Sequence, residues 1–209
     1  MPTLTDRRLH LNQAEMAQCI ERLAAAIALN HAGAKNLALA GIHKRGVPLA
    51  HRIAERLRTV HQIQCSVGTI DISQYRDDLG SFTILPRLEG SDIPFDIDDA
   101  PVILCDEVLY TGRSVRAAIE ALLDFGRPSC VELATLIDRD GREFPIQPAY
   151  SGGHVHLAKD ERVAVRFSEI DEDGEDAVYI ESVPFPNSPA CLRAKTCSTS
   201  LRSRLKKSS

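Results

Sequence analysis

The chain has 209 residues and a net charge of −4, with 44% hydrophobic and 26% charged side chains. That is the make-up of a soluble globular protein with material for a real core: one domain with a trailing segment, or at most two small ones. No run approaches the roughly 18 apolar residues of a membrane span, and no apolar stretch follows the charges of Met1–Met16, which argues against a secretory signal. Six cysteines (19, 65, 105, 130, 191 and 197) form no CxxC pair, and the histidines show no paired spacing. Both features point to a reducing cytoplasm and away from a zinc site.

Asn12 followed by Glu15 predicts a capping box, and Met16, Ile20, Leu23, Ala24 and Ile27 recur at helical spacing, so a helix spans 12–30 and ends near Gly33. "NLALAGI" (36–42) suits a buried strand, "HKRG" a turn, and "VPLAHRIAERLRTV" (47–60) a second helix with Pro48 in its first turn. "CSVGTIDIS" (65–73) alternates as a strand, whereas 74–92, with polar ends and Gly-Pro punctuation, predicts a long loop or hairpin. "APVILC" (100–105) is a buried strand and "SVRAAIEALLDFG" (114–126) a helix stopped by Gly126 and Pro128. "CVELATLI" (130–137) predicts another strand, 138–157 is irregular, and "RVAVRF" (162–167) is a final strand. The chain closes on 182–209, rich in Ser, Pro and Thr, with Arg193, Lys195, Arg202, Arg204, Lys206 and Lys207 and no acid. This is the composition of a flexible solvated segment, with nucleic-acid contact as the alternative.

Strands alternating with helices, and strands that are near-continuously apolar, predict an α/β fold with a central parallel sheet flanked by helices on both faces. Ligands of such sheets bind at the carboxyl ends of strands, where 43–46 and 106–113 lie. In "VILCDEVLYTGRSVR" (102–116), Asp106 and Glu107 follow a buried strand and precede a glycine turn and a helix start. A helix N-terminus offers unpaired N–H groups and a positive dipole end. Gly112 lets the backbone close on a ligand, and Thr111, Arg113 and Ser114 add donors. Carboxylates beside such an anion cradle make sense if they hold sugar hydroxyls or a magnesium shell, so the pattern predicts a phosphorylated sugar with Mg2+. The plain alternative is a strand–turn–helix whose acids only meet the helix dipole; it suits a lone Thr-Gly-Arg-Ser better than the whole string.

The string resembles the ribosyl-phosphate signature of type I phosphoribosyltransferases. "GIHKRG", "TIDISQYRDDL", "DIPFDI", "VILCDEVLYTGRSVRAAIEALLDFGRPS", "DRDGREFPI" and "ERVAV" are similar, in order, to segments of the PyrR family, the pyrimidine operon attenuation regulators and uracil phosphoribosyltransferases. The resemblance covers about 12–181. It implies the type I phosphoribosyltransferase fold with a small hood over residues 1–181, and a homodimer or higher homo-oligomer. The implied activity is transfer of phosphoribose from phosphoribosyl pyrophosphate (PRPP) to uracil, with Mg2+, giving UMP. The implied RNA partner is pyrimidine operon leader mRNA.

By the same resemblance, Asp106 and Glu107 hold the ribose hydroxyls and the magnesium shell. Val108, Leu109 and Tyr110 bind substrate together with Thr111, Gly112, Arg113 and Ser114, the last four at the 5′-phosphate. Lys44, Arg45 and Gly46 form the pyrophosphate loop, and Tyr75, Arg76 and Asp77 begin a loop that closes over PRPP, with Arg76 in a catalytic role. Arg139 and Arg142 lie near the pyrimidine or its phosphate, and Val165 reads the base through its backbone. Taken singly, Arg45 suits an exposed position, and Arg76 with Asp77 or Asp78 an ordinary ion pair. No role is assigned to the histidines (10, 31, 43, 51, 61, 154 and 156).

Three departures from the family pattern stand out. Glu107 replaces an Asp, adding a reach of about 1.5 Å; the expectation is that PRPP binding is kept and any loss falls on turnover. The first helix carries one base, Arg22, where RNA contact needs cations, leaving Arg127, Arg142, Lys159, Arg162 and the tail as candidates. "HVHLA" (154–158) stands where the family often has Pro-Thr-Ser, beside the base site. A transferase for another base, a purine included, and a nucleotide sensor with weak turnover are the alternatives.

Overall fold

In the computed structural model, which describes residues 7–34, 37–75 and 90–182, a short strand not foreseen in the sequence, β1 (Arg7–Leu11), leads into α1 (Gln13–Asn30). The helix begins where the capping box predicts. The Glu15 N–H donates to Asn12 Oδ1 at 3.0 Å, and the Asn12 N–H donates to Glu15 Oε2 at 2.8 Å, so two otherwise orphaned donors are satisfied. The predicted stripe is the buried face, with Cys19 and Ala28 added. Then follow β2 (Leu37–Ile42), α2 (Gly46–Thr59), β3 (Cys65–Ile70), β4 (Pro101–Leu109), α3 (Arg113–Leu123) and β5 (Cys130–Arg139). Two-residue strands β6 (Tyr150–Ser151) and β7 (His154–Val155) precede β8 (Glu161–Arg166) and β9 (Ala177–Ser182).

The main sheet is parallel, in the order β3-β2-β4-β5-β6, with β7 also pairing β5. All six residues of β2 are buried, as a strand covered on both faces demands. One core joins α1 and α2 to the sheet through Leu23, Ile27, Leu49, Ile53, Ile103 and Cys105. The other joins α3 through Val115, Ala118, Leu122, Val102 and Leu104. Alternation along β4 thus feeds Val102 and Leu104 to one core and Ile103 and Cys105 to the other.

Three expectations are revised. The strand predicted to stop at Cys105 runs on to Leu109, because β5 continues beside it (Asp106 opposite Thr135, Leu109 opposite Asp138). Buried Thr135 secures this stretch: its hydroxyl donates to the Ile137 carbonyl at 3.0 Å and accepts the Leu109 N–H at 3.2 Å. The strand predicted at 162–167 does not extend the parallel sheet; it forms β8 of a separate antiparallel sheet, β1-β9-β8. This is the hood. The irregular 138–157 segment contains β6 and β7. Arg76, Asp77 and, apart from Ser182, the basic tail lie outside the described residues. Among the described residues no helix is long and apolar enough to cross a membrane.

Candidate functional site

The carboxyl ends of β2, β4 and β5 converge beneath the hood. After β4 the chain turns through Thr111 and Gly112, whose φ of +89° is in the left-handed region. An added Cβ there would stand 3.2 Å from the Phe144 Cβ, so both backbone conformation and space favour glycine. Gly112 is the N-cap of α3 and has no side chain to cap it; the Arg113 N–H donates to Thr111 Oγ1 at 3.3 Å, and the N–H groups that follow in the first turn are the ones placed to meet an anion. The turn is braced from below: the N–H groups of Glu143 and Phe144 donate to the Thr111 carbonyl at 2.9 and 3.0 Å. Arg113 reaches over the same brace, its Nε donating to Glu143 Oε2 at 2.7 Å. Ser114 is half-buried in the first turn of the helix. Thr111, Gly112, Arg113 and Ser114 are thus brought together at one turn.

Asp106 is buried and Glu107 half-buried. The Glu107 N–H donates to Asp106 Oδ1 at 3.0 Å. Burial, and then the adjacent Glu107 carboxylate, push the Asp106 carboxyl well above the usual carboxylate range. A carboxyl in that state is stabilised by hydroxyl donors or a cation. Val108 is half-buried, Leu109 buried and Tyr110 exposed.

On the β2 side, the loop carrying Lys44 and Arg45 passes close to β4. A Cβ on Gly46 would run into the Cys105 carbonyl oxygen, so glycine is required by proximity. Lys44 is exposed and lines a cleft of about 500 Å³ with His43, Thr69, Asp92 and Ile170. Arg45 turns to the hood, donating from Nε to the Val165 carbonyl at 2.9 Å and from Nη2 to Asp171 Oδ1 at 2.6 Å. Asp171 also accepts from Arg166 Nη1 at 3.0 Å and from the Phe167 N–H at 2.9 Å. Burial works against its charge, but these donors outweigh it and hold its carboxyl below the usual range. Between hood and sheet lies a cavity of about 260 Å³ lined by Arg45, Glu107, Arg162, Val165, Arg166 and Glu181 among others. Glu107 and Val165 thus share one cavity, although the Val165 carbonyl is taken by Arg45.

Arg139 is buried at the end of β5, its guanidinium 4.1 Å from the Tyr110 ring centre. Its Nη2 donates to the Ala158 carbonyl at 3.4 Å, while Nε has no acceptor among the described residues. A buried donor of this kind is costly unless a ligand takes it. Arg142 is committed: Nε donates to the Ile146 carbonyl at 2.9 Å, and Nη1 to the Tyr110 and Arg139 carbonyls at 2.7 and 2.6 Å. Its Nη2 pairs with Asp138. Arg142 therefore positions the turn. Tyr75 sits on the α3 side, its hydroxyl donating to Asp124 and its carbonyl accepting Arg116 Nη2 at 3.0 Å. Asp171, Glu143 and Glu181 are participants the sequence reading missed. Asp171 and Glu143 are acids in polar stretches without periodicity, Glu181 is an acid within the apolar strand β9, and each takes its importance from a cation elsewhere in the chain.

The phosphoribosyl transferase domain model matches residues 10–167. The bifunctional protein PyrR of Roseiflexus sp. (strain RS-1) is 47% identical over 170 residues, covering 81% of this chain and 92% of that protein. The bifunctional protein PyrR of Bacillus subtilis (strain 168) is 42% identical over 178 residues, covering 84% and 98%. Among solved structures, the hypoxanthine phosphoribosyltransferase of Trypanosoma cruzi superposes with a TM-score of 0.65 at 16% identity, covering 85% of this chain and 97% of that one. A hypoxanthine phosphoribosyltransferase from Staphylococcus aureus gives 0.61 at 20% identity, covering 88% and 98%. The structural likeness extends to the fold.

Proposed function

The chain belongs to the PyrR family of the phosphoribosyl transferase domain, and from that membership we infer that it is bifunctional. It is a uracil phosphoribosyltransferase, converting uracil and PRPP to UMP and pyrophosphate. It is also a UMP-responsive regulator that attenuates transcription of a pyrimidine operon by binding leader mRNA. The observation that carries the enzymatic half is a buried Asp106 beside a half-buried Glu107 near the end of β4, followed by a helix start behind a left-handed glycine.

In this reading the base nitrogen attacks the anomeric carbon, the bond to the pyrophosphate oxygen breaks and pyrophosphate leaves, and the N–H proton of the base passes to solvent water. The 5′-phosphate sits on the first-turn N–H groups of α3 with Thr111, Arg113 and Ser114, fixing one end of the sugar. Asp106 and Glu107 accept the ribose hydroxyls at the other end, so the anomeric carbon is held between two anchors. Mg2+, bound with PRPP, supplies charge neutralisation for the departing pyrophosphate, and the hard carboxylate oxygens of Asp106 and Glu107 suit its hydrated shell. Lys44, the Gly46 backbone and Arg45 face the leaving group, and Tyr75, Arg76 and Asp77 belong to the segment that closes over it. The Arg139 Nε fits a carbonyl of the pyrimidine or an oxygen of its phosphate, with the Val165 backbone on the opposite side. The protein works in the cytoplasm as a homodimer or higher homo-oligomer. Arg127, Lys159 and Arg162 are the basic candidates for mRNA; Arg142 is held by its own turn.

Incubation with PRPP, magnesium and labelled uracil tests the enzyme. UMP is the expected product, and none above background removes the transferase reading. A gel shift with leader RNA tests the regulator. Tighter binding with UMP is expected, and binding indifferent to UMP or to RNA sequence removes that half.

A further inference from the structure

The β5–β7 junction, outside the acid pair and the phosphate cradle, brings two imidazoles and a carboxylate together. In the parallel register Asp138 lies opposite His154 and Arg139 opposite Val155. Side chains alternate along an extended strand. Val155 is accordingly buried, while His154 and His156 both face solvent on the side where Asp140 emerges beyond the end of β5. His154 Nε2 is 3.0 Å from Asp140 Oδ1, and His156 Nδ1 pairs with Asp140 Oδ2. The imidazole centres are 4.6 Å apart, and one ligand atom from each of the three residues lies within 4.8 Å of the others.

We propose that Asp140, His154 and His156 form a binding site for a divalent transition metal of the zinc class. Two nitrogens and one carboxylate oxygen leave a fourth position for water, the usual arrangement of an open zinc site. Bonds of about 2.1 Å in tetrahedral geometry put ligand atoms roughly 3.4 Å apart. The cluster closes to that spacing by small side-chain rotations, because His156 is 81% and His154 43% exposed. The competing description, two imidazole N–H groups donating to one exposed carboxylate, is a surface pairing of little net value. One metal ion takes both imidazole lone pairs and the carboxylate together. Imidazole donors favour zinc, nickel or copper over magnesium, so this site and the magnesium of PRPP draw on different ions. A bound ion ties the turn after Arg139 to the strand that leads to Ala158, whose carbonyl accepts from Arg139.

Titration with ZnCl2 by calorimetry in millimolar MgCl2, and the visible spectrum with CoCl2, test the site on the full chain without substrate. The expected result is one ion per chain, a cobalt spectrum of tetrahedral type without a sulfur charge-transfer band, and affinity unaltered by Cys130→Ser. Loss of a ligand should exceed the ~10-fold loss typical of removing an outer-shell partner, so His156→Ala and Asp140→Ala should each weaken binding at least that much. Both substitutions are at exposed positions, and unchanged melting curves without metal confirm that the fold is intact. Absence of uptake, a sulfur band, or equal affinity in these two variants would overturn the proposal.

Discussion

At the 111–115 turn the groups offered to a ligand are mostly backbone N–H donors, set in place by one left-handed glycine and the start of α3. Under the hood the offered groups are side chains, each held by a distant partner: Arg45 by Asp171, 126 residues on, and by the Val165 carbonyl. A backbone-built cradle is rigid before any ligand arrives, since the fold itself fixes it. A side-chain-built wall is fixed only as well as its ion pairs are, and its cations must exchange protein acceptors for ligand ones. Asp106 and Glu107 stand between the two. The comparison predicts that substitutions on the cradle side hurt catalysis without hurting the fold, and that those on the hood side do both.

The largest effect is expected at Asp106. Asp106→Asn keeps the shape and removes the charge, and should lower kcat/KM by about 10²–10³-fold, as loss of one preorganised electrostatic partner does. The same change should stabilise the free protein. Burial and Glu107 raise the Asp106 carboxyl when folded, so its contribution to stability is full below its ordinary value of 3.8 and is lost as pH rises through the raised folded value. At neutral pH the wild type carries that penalty and Asn does not. A gain on the order of 1 kcal/mol would appear as about 2–4 °C in Tm for a chain of this size. Melting curves from pH 4 to 8 with and without the substitution check it. A variant that melts lower than wild type at neutral pH would show Asp106 to be structural.

Arg45→Ala should act on both properties. It strips one partner from Asp171, whose side chain is 5% exposed, and frees the Val165 carbonyl. Arg45 itself is about a third exposed, so solvent screening reduces the loss to about 1–2 kcal/mol from the larger figure for a fully buried pair. Urea unfolding measures it. Arg45→Lys should recover little, because a single ammonium cannot serve two acceptors with the fixed fork of a guanidinium. Asp171 adds a pH signature: its folded carboxyl is depressed, so the stability it contributes is present above 3.8 and lost as pH falls through the folded value. Arg45→Ala should flatten that acid limb. A variant as stable as wild type with an unchanged acid limb would make the hood wall no more dependent on its ion pairs than the cradle is.

This contrast also separates what is legible in the sequence from what is not. The capping box at Asn12, the apolar strands and the glycine turn at 112 are local patterns, and their geometry follows from a few adjacent residues. The extension of β4 to Leu109 depends on Thr135, the separate sheet of β1, β8 and β9 on pairing across the whole chain, and the grip on Arg45 on an acid in "SEIDEDGED". None has a local signal. The resemblance puts Arg142 near the pyrimidine or its phosphate, yet five protein acceptors claim its guanidinium. His154 and His156 did not register as a pair while 138–157 read as irregular; the spacing becomes meaningful once Val155 is known to be a strand residue.

The smallest expected effect is at Glu107, the second acid of the pair. The longer side chain lines the hood cavity with Arg45 and Arg162, and its carboxylate adjoins Asp106. Shortening it by one methylene keeps the charge and withdraws the carboxylate by about 1.5 Å, a distance that a hydrated magnesium shell can span with water. Glu107→Asp should therefore change kcat by no more than about threefold, equivalent to roughly 0.6 kcal/mol, and leave KM for PRPP close to wild type. Glu107→Gln, which removes the charge at full length, should lose considerably more. Steady-state kinetics on both variants separate length from charge. A tenfold rise in kcat for Glu107→Asp would mean that the added methylene holds the site away from its best geometry and that the chain has been tuned toward binding nucleotide over turning it over. Equal losses in the two variants would place Glu107 with the side-chain-built hood wall, where shape matters as much as charge.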